Sequence, residues 1–321
     1  MRNLTLDQAK VILSIMVVMI HVGFLKDYSS SVNYFFTQSI FRIVVPIFYL
    51  VSGYFFFRLI ISSGFSGFKK WFLTLLALHS FWSLVYLYFY IPFDSTNLRE
   101  IFIEVVKRYI EGYWHLWFTM GLLGAGTCLY FIRNLQSAKL VMIALLLFVC
   151  GCIIQYSGNY HLFGSSYLDN ITNKTHIYRN FLFFAFPFFI LGYLVSRDGV
   201  VNKFGNGFLV FLFLMSFAGL CAEGALNTFY IGDYKQSFDM LFLLPFVCFS
   251  LFLVFLKSER KTSSAIYTQV SAGIYFIHPL FILLMPKFIS SRIVELIIVL
   301  ALSLIASFVL ILLSKRYKFI L

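Results

Sequence analysis

Long apolar runs separated by short polar stretches dominate the chain. Ten of these runs approach the roughly 17–25 residues that a helix needs to cross a bilayer. They lie at about 6–25, 40–61, 71–92, 115–133, 139–156, 180–196, 207–222, 238–256, 268–287 and 293–313, the ninth broken by Pro279. No internal repeat, low-complexity tract or long linker divides them. The pattern predicts an all-α integral membrane protein, a bundle of about ten transmembrane helices forming one domain over residues 1–321. The longest connections, 93–114, 157–179 and 223–237, are polar and aromatic but too short for independent domains. Any chemistry is therefore expected from the helices and these loops.

Composition agrees with that class. Only 12% of residues are charged and 61% are hydrophobic, against about 25% charged in soluble domains. The net charge of +12 does not imply a nucleic-acid partner, because the bases are spread among short loops and form no patch. Their distribution instead sets an orientation. With the N-terminus inside, the inner ends carry fourteen bases and three acids, while the outer loops carry nine bases and ten acids. By the positive-inside rule both termini are expected in the cytoplasm. The first run is read as a retained signal-anchor helix, since it is long and no small-residue cleavage site follows it. Five cysteines, all in apolar runs, suggest neither a disulfide framework nor a metal site.

Within the first run, Asp7, Lys10, Ser14 and His21 are spaced so that one helix face carries all four. Lys10 and His21 share nearly the same angle and differ by a rise of roughly 16 Å. Ionisable groups at membrane depth are costly and usually face a protein interior or a wet cavity. With the inferred orientation, Lys10 lies near the cytoplasmic end and His21 near the outer end. Arg42, at the outer start of the second run, comes to a similar depth. So do Trp114, His115 and Trp117 of GYWHLWF, while His278, beside Pro279, is expected nearer mid-membrane.

Five segments, in order, carry a family likeness: LDQAKVILSIMVVMIH, FRIVVPIFYLVSGY, WHLWFTMGLL, FAFPFFILGYLVSR and GIYFIHPLF. Together they resemble the membrane-bound acyltransferase-3 family over nearly the whole chain. The resemblance implies transfer of an acyl group, usually acetyl, from cytoplasmic acyl-CoA to a hydroxyl of an extracytoplasmic sugar. The acceptor would be a lipid-linked or surface glycan such as O-antigen, and the site a bacterial cytoplasmic (inner) membrane. Acetyl-CoA or another acyl-CoA is then a donor substrate, with no tightly bound cofactor expected. The basic residue of the first-helix motif is Lys10, where many members carry arginine; lysine offers a point charge in place of a bidentate fork.

On that basis His21 is expected to act as general base and Arg42 to stabilise an oxyanion or bind an anionic carrier. Lys10, oriented by Asp7, would meet the donor's phosphates. Trp114, His115, Trp117 and His278 would contact the acceptor. Plainer roles stand beside these: a snorkelling anchor for Lys10, headgroup contact for Arg42, an interfacial aromatic belt for Trp114 and Trp117, and a kink at Pro279. Ser52 and Gly53 are expected to permit close helix packing. A transporter or flippase of a lipid-linked sugar is the rival from another class. It too would place charges in a cavity, but the repeated halves of many transporters are absent from this sequence.

Overall fold

The computed structural model describes residues 2–164, 166–231, 236–286 and 289–321. The predicted loop 223–237 and the end of the ninth run fall partly outside them. Thirteen α-helices appear among the described residues: α1 (Leu4–Val22), α2 (Ser30–Gln38), α3 (Val44–Tyr86), α4 (Leu98–Glu111), α5 (Trp117–Ile132), α6 (Ser137–Asn159), α7 (Tyr167–Thr172), α8 (Thr175–Tyr178), α9 (Phe186–Arg197), α10 (Asn206–Leu226), α11 (Leu244–Lys257), α12 (Ile266–Leu283) and α13 (Arg292–Ser314). One two-residue pairing, β1 (Arg2–Asn3) with β2 (Lys261–Thr262), runs antiparallel.

Seven helical stretches among the described residues are long and apolar enough to cross a membrane, and two shorter apolar helices, Phe181–Arg197 and Leu244–Lys257, accompany them. Each of the ten apolar runs falls on helix. The second and third merge into α3, where Gly64 breaks the helix with φ 52° and ψ −133°. That backbone lies in a region essentially restricted to glycine, so one 43-residue element becomes two limbs. The eighth run differs from expectation. Its first residues are not helical, and α11 starts at Leu244 with Pro245 in its first turn, where a missing N–H costs nothing.

The non-helical segment before α11 exposes backbone groups that a bilayer interior cannot satisfy. Side chains from inside other helices satisfy them. Gln155 accepts from the N–H of Asp239 (2.8 Å) and of Met240 (2.9 Å), and donates to the Met240 carbonyl (2.7 Å). Glu223 accepts from the N–H of Phe242 (2.8 Å), and Asn159 donates to the Ser237 carbonyl (2.9 Å). Three polar residues of α6 and α10 thereby hold a non-helical strip inside the bundle.

The first helix is fixed at both ends. Asn3 accepts from the Leu6 N–H as N-cap and donates to the Phe255 carbonyl at 2.9 Å. Gly23, in the left-handed region, returns its N–H to Met19, a common glycine stop. α1 packs against α12 and α13, and α3 against α9. At the α3–α9 crossing the backbones nearly touch: a Cβ on Gly53 would fall on the Phe189 carbonyl, and one on Gly192 on Leu50. The small residue expected at Gly53 is thus what lets the two helices close. The loop 93–114 contains a helix the apolar runs did not indicate, α4, whose Leu98, Phe102 and Ile103 remain exposed beside Glu100 and Glu104.

Candidate functional site

At the N-terminal end of α1 the stripe begins in a buried charge network. Asp7 and Lys10 are 3% and 6% exposed. Lys10 Nζ lies 3.0 Å from Asp7 Oδ1, and Arg2 Nε lies 2.8 Å from Asp7 Oδ2. Thr268 of α12 donates to Asp7 at 2.8 Å. One carboxylate therefore faces two cations, leaving a net positive charge, and pairing lowers the cost of burying each member. One turn on, Ser14 meets Ser271 (2.6 Å), which clamps α1 to α12.

This network opens onto a cavity of about 600 Å³. Arg2, Lys10 and Thr268 line its polar end; Phe48, Phe118, Tyr275 and Phe276 are among the rings along the rest. Beyond those rings lies a second cluster. His21 stacks on Trp114 (ring centroids 5.6 Å apart, planes within 8°) and meets His278 at 5.3 Å. His278 meets His115 at 5.6 Å. Helix α1, the turn before α5, and α12 thus bring Trp114, His21, His278 and His115 into one chain of rings. Trp114 reaches its place with φ 49°, a left-handed backbone that costs a non-glycine residue roughly 1–2 kcal/mol.

Exposure divides the cluster. His278 and His115 are buried, at 0% and 2%, whereas His21 is exposed. His21 borders a polar cavity of about 440 Å³ that also touches Lys26, Asn33, Thr37, Gln38 and Arg292. Neither ring nitrogen of His115, nor Nε2 of His278, has a well-formed hydrogen-bond partner among the described residues. His278, expected from the sequence nearer mid-membrane, touches His21. Pro279 removes one backbone donor from α12, and the His278 Nδ1 bonds the Ile274 carbonyl at 3.0 Å.

Arg42 is near this layer but is not free. It bonds Asp239 and Gln38, and Arg179 lies 3.3 Å from the same aspartate. Both arginines are within electrostatic reach of His21. Two guanidinium groups share one carboxylate, so the neighbourhood keeps a net positive charge. Trp117 joins the cluster only indirectly, through Arg179 lying 5.0 Å over its ring. With Glu111, His176 and Arg179 it borders a third cavity of about 390 Å³.

Arg179 and Asp239 were not singled out from the sequence. Asp239 carried a usable signal, being a lone carboxylate at the edge of an apolar run. Arg179, at the end of a polar loop, carried none. His79, with no special context in sequence, is fully buried and bonded to Thr119 (2.7 Å) and the Tyr109 carbonyl (2.9 Å), a structural tie between α3, α5 and α4.

A family model described as an acyltransferase domain matches residues 3–312. Among curated proteins, the chain is 27% identical over 304 residues to a serine/alanine racemase of Enterococcus gallinarum, covering 87% of this chain and 41% of that protein. It is 25% identical over 281 residues to an amino-acid racemase of Enterococcus faecalis, covering 80% and 36% respectively. A second amino-acid racemase of Enterococcus faecalis matches at 23% over 298 residues, covering 87% and 41%. The chain therefore spans about two fifths of the length of these relatives. No solved structure matches it.

Proposed function

Because the chain belongs to the acyltransferase family defined by that domain, we propose that it is a membrane O-acyltransferase. The donor is cytoplasmic acyl-CoA, most simply acetyl-CoA, and the acceptor a hydroxyl of an extracytoplasmic, lipid-linked or surface sugar. The ten apolar helical segments then all cross a bacterial cytoplasmic membrane, with both termini inside. The racemase names belong to longer proteins; what this chain has in common with them lies almost wholly within its acyltransferase domain.

The observation that carries the reading is the polarity of the α1 face. At one end Arg2 and the Asp7-paired Lys10 border a cavity, and at the other His21 stands exposed among rings that abut the cavity's far end. In this reading the donor's phosphates meet Arg2 and Lys10, and the thioester arm lies along the cavity. The rise of roughly 16 Å from Lys10 to His21 is the span that arm has to cover. His21 accepts the proton of the acceptor hydroxyl as that oxygen attacks the thioester carbonyl. The carbonyl oxygen becomes negative in the tetrahedral intermediate, and the positive neighbourhood of Arg42 and Arg179 favours that charge. Collapse of the intermediate releases the CoA thiolate, which takes up the proton, and leaves the ester on the sugar. His278, backed by His115, holds the His21 ring, and Trp114 gives it a stacking surface.

The test is transfer itself. Purified protein supplied with radiolabelled acetyl-CoA and a glycan acceptor is expected to leave label on the sugar. A transporter of lipid-linked sugars would leave none, and an unlabelled glycan would refute the proposal.

A further inference from the structure

The cavity that Lys10 borders is not lined by His21. It ends on Phe48, Phe118 and Tyr275, whose rings contact one another: Phe48–Phe118 at 6.2 Å, Phe48–Tyr275 at 6.2 Å and Phe118–Tyr275 at 5.5 Å, all edge to face. Edge-to-face packing of three rings makes a continuous apolar wall. On its far side Tyr275 lies 5.3 Å from His115 and 6.3 Å from His278, and its hydroxyl donates to the His115 carbonyl at 2.8 Å. One layer of side chains thus separates the end of the cavity from the histidine cluster.

The three rings are not equivalent. Tyr275 is buried and tied by its hydroxyl, whereas Phe48 and Phe118 are half-buried and have no polar atom in the side chain to fix them. The end of the cavity most remote from its charges is therefore closed by two aromatic side chains held only by packing. An apolar chain gains with each methylene it buries, until it meets a wall that must be displaced, where overpacking reverses the gain.

We infer that Phe48 and Phe118 determine which acyl chain length the donor can carry, by forming the end wall against which the acyl group packs. This rests on the acyl-CoA reading above. The wall explains how a cavity this apolar can serve one donor length rather than any chain that partitions into it. It also places selection on the donor side, before the acyl group meets His21.

The test compares equilibrium binding of acetyl-CoA and octanoyl-CoA to the full chain in nanodiscs. The ratio of the two dissociation constants is taken within each preparation, so the folded fraction cancels. Phe118→Ala and Phe48→Ala are each expected to shift that ratio about tenfold toward octanoyl-CoA, with Phe118→Leu intermediate. If both donors bind but the ratio is the same in wild type and all three variants, the wall does not select and the inference is overturned. If the wild type binds neither acyl-CoA, the donor reading itself fails and the inference falls with it. The leucine variant and the Phe48 variant keep the test decisive should Phe118→Ala fail to fold.

Discussion

At the scale of single residues, Lys10 shows how context decides between two roles. A lysine near a helix end ordinarily snorkels to the headgroups. Here its ammonium is buried, 3.0 Å from Asp7, at the mouth of a cavity. That geometry predicts that charge matters more than shape. Lys10→Arg should keep most acyl transfer, while Lys10→Ala should lose at least tenfold in kcat/KM for the acyl-CoA, most of it in KM. Equal activity of the two variants would mean that Lys10 only anchors the helix. The stripe from Asp7 to His21 was legible because helix periodicity is strict: a spacing in sequence becomes a shared face. The partners of Arg42 were not legible. Asp239 and Arg179 lie far from it along the chain, and nothing local in the sequence states that three elements converge there.

At the scale of elements, hydropathy located the apolar helices found among the described residues but could not say how they close on one another. Close approach depends on a few glycines. The Gly53–Gly192 crossing leaves no room for a side chain on either helix, because the blocking atoms are backbone and cannot move aside. Gly53→Ala should therefore cost about 1–3 kcal/mol of overpacking and lower the thermal midpoint of the purified protein. Gly205→Ala is the matched control, since a Cβ there meets nothing within 4 Å. Indistinguishable melting of the two variants would contradict the packing described at α3 and α9. Hydropathy also could not separate helix from the non-helical strip before α11. Both read as apolar, and the difference lies in Gln155, Asn159 and Glu223, polar residues that satisfy the backbone of that strip.

At the scale of the whole molecule, the proposed function requires both termini in the cytoplasm, as the positive-inside rule leads one to expect. A fluorescent protein that folds only in the cytoplasm, fused after Leu321, should be bright. Alkaline phosphatase fused within α4, on the opposite side, should be active. A dark C-terminal fusion with an active phosphatase at the same position would invert the orientation and put Lys10 on the wrong side for a cytoplasmic donor. Within the proposed orientation the molecule has a direction: a charged mouth inside, a ring-lined cavity, and an exposed histidine outside. The measurement that tests this most directly is label transfer from radiolabelled acetyl-CoA to glycan by His21→Ala, with membrane insertion and protein amount matched to wild type. Loss of at least a hundredfold in transfer, with acetyl-CoA binding retained, is the predicted result. Undiminished transfer by that variant would contradict the assignment of His21 as the base.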